Sequence, residues 1–270
     1  MQQAYHFTQG NSPLLISMPH SGLELTADVR QGLVAEAQGL NDTDWHIPEL
    51  YRCAQNLGAN VLSANYSRYV IDLNRSSDDI PLYTTATTGL FPETLFNGSP
   101  LFKEGLTPSK EIRQHYLESI WQPYHLKIKT ELERLKQQFG YALLWDAHSI
   151  RSEISYLFDG KLPDFNLGTN SGLSCDPIFS EQLIQMLDKQ NEYTHVLNGR
   201  FKGGFITRNY GDPQQHIHAI QLEMSQATYM DEQSYQYLPK LATPTSHMIE
   251  LLLKTYLNTA EMRYHEKNWY

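Results

Sequence analysis

Four short stretches of this chain carry side chains that could do chemistry together. "SMPHSG" holds His20, "NDTDWH" holds Asp42 and Asp44, "LLWDAHS" delivers His148 after Asp146, and "IQLEMSQ" carries Glu223. Two imidazoles and a carboxylate form a common ligand set of hydrolytic zinc sites, whose remaining position takes water. Such a metal lowers the pKa of water toward ~7. A carboxylate that is not a ligand can then carry the proton to the leaving group. On this reading His20, Asp44 and His148 hold the ion and Glu223 is the general base.

Each residue taken singly has a plainer explanation. A lone histidine after a strand is more often a hydrogen-bonded loop residue. Asp42 or Thr43 could cap a following helix, leaving Asp44 as an acid favoured by the helix dipole. Glu223 could pair with a surface arginine. The compact H-E-x-x-H signature is absent, since Leu23 stands three residues after His20 and Glu24 four after it. What argues for a site is position: all four stretches fall where a site at the carboxyl ends of the strands would form.

Short apolar or β-branched runs predict strands at Leu14–Met18, Asn60–Ala64, Arg68–Leu73, Tyr141–Asp146, His195–Asn198 and His216–Glu223. Helices are expected between them. Thr26 would cap one over Ala27–Gln38, Pro48 would open one that Gly58 ends, and Asp176 with Pro177 would open another through Leu187. A further helix spans about Thr245–Leu257. The longest runs from Pro108 to Phe139, where Ile112, Tyr116, Ile120, Tyr124, Ile128, Leu132, Leu135 and Phe139 form one apolar stripe that Pro123 should kink. Strands alternating with helices imply an α/β fold, a mixed, mostly parallel sheet covered on both faces, with ligands beyond the carboxyl ends of the strands. His20 and His148 would lie just past those ends. No linker or internal repeat interrupts the chain, so a single domain over residues 1–270 is expected.

Arginines form a second class of candidate. Asn74 and Arg75 end "YSRYVIDLNR", Arg151 follows His148 by three residues, and Arg208 lies in "GGFITRNYG", a glycine-bracketed loop able to shape itself around a ligand. A guanidinium fork binds carboxylates in bidentate fashion, which suits a substrate with more than one carboxylate. Surface ion pairing is the commoner fate of any one arginine.

Composition bounds the possibilities. The 270 residues are 40% hydrophobic and 19% charged, as in ordinary globular proteins. The net charge is −9 and no Lys/Arg cluster occurs, which argues against nucleic acid as a partner. There is no apolar run long enough for a membrane span and no basic, apolar leader at the start. Two cysteines, Cys53 and Cys175, without C-x-x-C spacing, fit a reducing cytoplasm.

Taken together, "PLLISMPHSG", "NDTDWHIPELY", "YSRYVIDLNRSSDD", "WQPYHLKI", "LLWDAHSIRSEI" and "GGFITRNYG" resemble the N-formylglutamate amidohydrolases, from about Pro13 to Glu223. The resemblance implies a zinc-peptidase-like α/β fold and hydrolysis of N-formyl-L-glutamate to formate and L-glutamate, the last step of one route of histidine breakdown. It carries the metal positions to His20, Asp44 and His148, with Asp42 and Glu24 as other possible carboxylates, and the base to Glu223. Zinc is the expected cofactor, another divalent ion the alternative. Asn74, Arg75, Arg151 and Arg208 are the candidates to bind a small dianion. The main competing expectation is a zinc amidohydrolase for another N-acyl amino acid or a cell-wall peptide, and a third is a metal-free binder of acidic metabolites.

Overall fold

A computed structural model describes residues 3–80 and 88–265. Seven strands form one sheet: β1 (Tyr5–Thr8), β2 (Leu14–Met18), β3 (Asn60–Ala64), β4 (Ala142–Ile150), β5 (Phe165–Gly168), β6 (His195–Leu197) and β7 (Ile217–Ser225). Their order is β1-β3-β2-β4-β7-β5-β6. The pairs β3–β2, β2–β4, β4–β7 and β5–β6 are parallel, while β1–β3 and β7–β5 are antiparallel. The expected mixed, mostly parallel sheet is therefore what forms.

Alternation along the central strands explains why the sheet is covered twice. One face presents Leu14, Ile16, Leu143, Trp145, Ile220 and Leu222 to α2 (Ile47–Leu50), α5 (Pro177–Leu187) and α7 (Pro239–Tyr264). The other presents Leu15, Leu144 and Ala219 to α1 (Ala27–Gly32), α3 (Lys110–Tyr116), α4 (Gln122–Phe139) and α6 (Phe205–Tyr210). At the carboxyl ends of β4 and β7 this second face stops being apolar: Asp146 and His148 follow Leu144, and Gln221 and Glu223 follow Ala219.

Several boundaries differ from expectation for identifiable reasons. Arg68–Leu73 is not a strand but a buried turn, with the Val70 amide bonded to the Ser67 carbonyl at 2.9 Å. Its apolar residues pack into the second core without a neighbouring ladder, so the pattern reported burial rather than strand geometry. The edge strand β1 and the four-residue β5 carry too short a pattern to announce themselves. Helix α1 stops at Gly32, and Ala35–Gly39 forms a separate 3₁₀ turn. α2 likewise continues as a 3₁₀ helix to Leu57, ended by Gly58 at φ 61°. The interruption expected at Pro123 takes the form of a π turn over Leu117–Trp121, which precedes the proline and absorbs its missing N–H. Asp176 caps α5 as expected, its side chain accepting from the Ile178 amide. α7 exceeds its expected span at both ends and carries Pro244 within its first two turns.

Candidate active site

His20 lies two residues beyond β2, in the turn that follows Met18. His148 lies inside β4 rather than past its end. The β2–β4 ladder closes at Ser17–Asp146, so β4 runs on unaccompanied on that side and carries His148 beneath the His20 turn. Asp44 arrives on the loop before α2 and is tied to this turn by its backbone amide, which donates to the His20 carbonyl at 3.1 Å. The helix-cap explanation for Asp42 and Thr43 fails, because α2 starts at Ile47 behind His46, which sits at φ 63° and gives no side-chain cap.

The three side chains converge. Asp44 Oδ2 lies 3.0 Å from His148 Nδ1 and 3.7 Å from His20 Nδ1. One ligand atom from each of His20, Asp44 and His148 can be chosen with all three within 4.8 Å of one another, and all three residues are buried. Nitrogen and carboxylate oxygen at this spacing, facing inward from three separate segments, is a donor set that fits a divalent ion.

Behind the histidines lie two more buried acids. His20 Nε2 donates to Asp72 Oδ1 at 2.7 Å, and Asp72 Oδ2 accepts from Arg68 Nη2 at 2.6 Å. His148 Nε2 lies 3.1 Å from Asp146 Oδ1, off the line of a well-formed hydrogen bond, and 3.0 Å from Asn74 Nδ2. Burial disfavours charge on both rings, but the outcomes differ. For His20, burial and then the Arg68 cation lower the pKa below the ordinary imidazole value. For His148, Asp146 and Asp44 outweigh burial and raise it well above that value. Burial alone would raise Asp72, but His20 and Arg68 hold its carboxyl well below the usual range.

Glu223 pairs with His148 across the β4–β7 ladder, so both side chains leave the same face of the sheet into one pocket. Gln221 Nε2 donates to Glu223 Oε2 at 3.3 Å, while Gln221 Oε1 accepts from the Gly204 amide at 2.6 Å. Burial pushes the Glu223 carboxyl up to about 8; His148 and Arg68 pull against this and Asp44 adds to it. Arg68, Arg75 and Arg200 also line the pocket, together with Asn74 and Phe96.

The N-formylglutamate amidohydrolase family model matches residues 12–230. The chain belongs to that family. It is 61% identical over 265 residues to an N-formylglutamate deformylase of Pseudomonas putida, covering 98% of this chain and 99% of that one. It is 59% identical to an N-formylglutamate deformylase of Pseudomonas aeruginosa, covering 98% and 100%. Among solved structures it resembles an N-formylglutamate amidohydrolase from Ralstonia eutropha, with TM-score 0.82, 22% identity, and 97% and 99% of the chains covered. A protein from Agrobacterium tumefaciens shares the fold at TM-score 0.73 and 12% identity, over 96% and 97% of the chains.

For this amidohydrolase-family chain the other residues singled out in the sequence separate clearly. Asp42 faces an adjoining cavity, where its Oδ2 accepts the Phe96 amide at 3.1 Å, and Glu24 lines a different cavity beside Tyr66. Arg75 lines the pocket, held by Nε donating to the Thr88 carbonyl at 2.7 Å and Nη1 to the Asn74 carbonyl at 2.9 Å. The Asn74 amide is committed internally: Oδ1 accepts the Ile206 amide at 2.8 Å, and Nδ2 reaches Asp146 and His148. Asn74 thus lines the pocket while its Nδ2 contacts His148. Arg151 lies in the Asp42 cavity and donates to the Tyr235 hydroxyl, with its guanidinium 5.3 Å from that ring. Arg208 is on α6, not in a loop, and its Nε donates to the Gly203 carbonyl at 2.7 Å. Neither Arg151 nor Arg208 lines the pocket. Sequence reasoning passed over Arg68, Asp72, Gln221 and Arg200. Arg68 and Asp72 were legible as charged residues inside an apolar run, and Gln221 as a polar residue on the Glu223 face of its strand.

Proposed function

We propose that this protein hydrolyses N-formyl-L-glutamate to formate and L-glutamate, with a divalent metal, zinc by donor type, held by His20, Asp44 and His148. The observation that carries the reading is the convergence of two imidazoles and a carboxylate in the pocket that also holds Glu223 and three arginines. Full-length identity near 60% to named deformylases supports the same substrate. A bound ion supplies Lewis acidity, which makes water a competent nucleophile at neutral pH and polarises the formyl carbonyl.

The chain's own residues do the rest. Glu223 takes a proton from the attacking water as its oxygen bonds to the formyl carbon, and returns that proton to the amide nitrogen as the C–N bond breaks. Its burial keeps the carboxylate basic, which suits proton transfer near neutrality. Arg75 and Arg200 provide cationic anchors for the two substrate carboxylates, Arg75 with its guanidinium fixed by the Thr88 and Asn74 carbonyls. Phe96, over which the Arg68 guanidinium lies at 4.6 Å, closes one wall against water. On this reading the reaction is the final step of a histidine breakdown route, carried out in the cytoplasm. Among the described residues no helix is long and apolar enough to cross a membrane.

The test is formate release from N-formylglutamate compared with N-formylaspartate, N-formylglutamine and N-acetylglutamate, after metal removal and zinc restoration. Activity that survives exhaustive chelation defeats the metal assignment, and preference for another acyl amino acid defeats the substrate.

A further inference from the structure

The two histidines of the triad are held from behind in different ways, and the difference concerns which ring nitrogen each can offer. At His20 two observations agree. Nε2 faces the Asp72 carboxylate at 2.7 Å, and Asp72 is fully buried, with the Asn74 backbone amide also donating to Oδ1 at 2.8 Å. Nδ1 faces Arg68 Nη1 at 3.2 Å. A guanidinium has no acceptor, so the nitrogen opposite it carries the lone pair, and the nitrogen opposite the carboxylate carries the proton. Both contacts therefore select the same tautomer, Nε2–H with Nδ1 bare. Nδ1 is the atom that faces Asp44, at 3.7 Å.

At His148 no such pair leaves Nδ1 bare. Nδ1 faces the Asp44 carboxylate at 3.0 Å and so carries a proton in the metal-free protein, while Nε2 faces Asn74 Nδ2 at 3.0 Å, a donor because Oδ1 already accepts the Ile206 amide; Asp146 Oδ1 lies 3.1 Å from Nε2 but off the line of a hydrogen bond. Only at His20 do the outer partners themselves present Nδ1 as a lone pair.

From this geometry we infer that Asp72 and Arg68 are a positioning pair, which fixes His20 in the Nε2–H tautomer and so presents Nδ1 to the metal. Arg68 is anchored to Asp72 through Nη2 at 2.6 Å, so Nη1 can yield the His20 lone pair to an arriving ion without leaving its place. Outer partners of this kind typically change metal affinity by ~10- to 100-fold when removed. The inference rests on the metal reading above, so its test must separate the two.

The experiment uses the full-length protein stripped of metal. Zinc affinity is measured by chelator competition, and the His20 ring tautomer by ¹⁵N chemical shifts, for wild type, Asp72→Asn and the double variant Arg68→Met/Asp72→Leu. The double variant removes both charges together, so neither is stranded in the core. We expect Nε2–H at His20 in wild type. In the double variant we expect a mixture of tautomers and zinc binding weaker by ~10- to 100-fold. Asp72→Asn keeps an acceptor of the same size, so it should lose less affinity, and it carries the test if the double variant melts. A residue that merely stabilised the fold would move the melting temperature and leave the tautomer alone. Wild-type zinc binding together with wild-type affinity and tautomer in the variants overturns this inference alone. Wild-type protein that takes up no divalent metal overturns the metal reading, and this inference with it.

Discussion

Replacing Glu223 by glutamine exchanges one oxygen for one nitrogen and changes little else in volume, so its consequences are chemical. Glu223 is buried on β7 beside His148, and its carboxyl titrates near 8 instead of at its ordinary value of 4.5. The folded chain thus binds this proton more tightly than the unfolded chain does. The associated stability is complete below about pH 4.5 and is lost as pH rises toward 8. A shift of this size is worth at most roughly 4–5 kcal/mol, less whatever His148 and Arg68 share of it. Glutamine has no such titration. Metal-free Glu223→Gln should therefore keep its urea midpoint between pH 5 and 8.5 better than metal-free wild type does. In the metal-loaded enzyme it should retain zinc and substrate affinity while kcat falls ~10²- to 10⁴-fold, the usual contribution of a positioned acid–base group. Urea melts at several pH values, zinc content and steady-state formate release read all three quantities. Unchanged kcat with intact zinc removes Glu223 from the mechanism. Lost zinc makes it a ligand. Equal pH slopes in variant and wild type refute the burial argument.

Other predictions follow from the same geometry. Asp44→Asn should lose most bound zinc, measured by metal analysis after dialysis, while Asp42→Asn, which faces the adjoining cavity, should keep it; the reverse order would move the ligand. Arg75→Ala should lower kcat/KM for N-formylglutamate by roughly 10- to 150-fold, as expected for loss of a charged hydrogen bond of about 1.5–3 kcal/mol, with lysine rescuing only in part. Arg151→Ala, outside the pocket, should change KM far less, and an equal loss would return it to the substrate site. A Cβ on Gly204 would stand 2.3 Å from Asn74 Nδ2, so Gly204→Ala should displace Asn74 from His148 and lower activity without abolishing folding, which circular dichroism and kcat/KM would report.

The sequence disclosed the site in proportion to how locally each part is determined. His20 and His148 were visible because each follows an apolar run that has to be a central strand, and such strands end at the carboxyl edge of the sheet. Glu223 was visible through alternation, because Ile220 and Leu222 fix the other face of β7. The arginines were not separable, because a guanidinium next to a motif can point to the pocket or away from it. Arg75 turns in; Arg151 is drawn off by Tyr235 and Arg208 by Gly203. Arg68 was passed over for a different reason, although its charge inside an apolar run was visible. It lies in a run whose hydrophobicity imitates a strand, and only the tertiary packing shows that the run is a turn wrapped around a buried Arg68–Asp72 ion pair.

Charge explains why the parts belong together. Asp44, Asp72, Asp146 and Glu223 crowd within or just behind one pocket, and a dianionic substrate would add two more negative charges. Buried charge is costly unless each acid has its own partner. Asp72 has Arg68 at 2.6 Å and His20 at 2.7 Å, so Arg68 is already matched and contributes little net charge to the substrate. Asp44 and Asp146 share His148, which is why that ring is driven toward its protonated form in the metal-free protein, and Glu223 is left to stay protonated. A dication at the triad would replace the His148 proton as the balancing charge and draw Glu223 toward its carboxylate, the form a general base requires. Loading the metal and arming the base would then be a single electrostatic event.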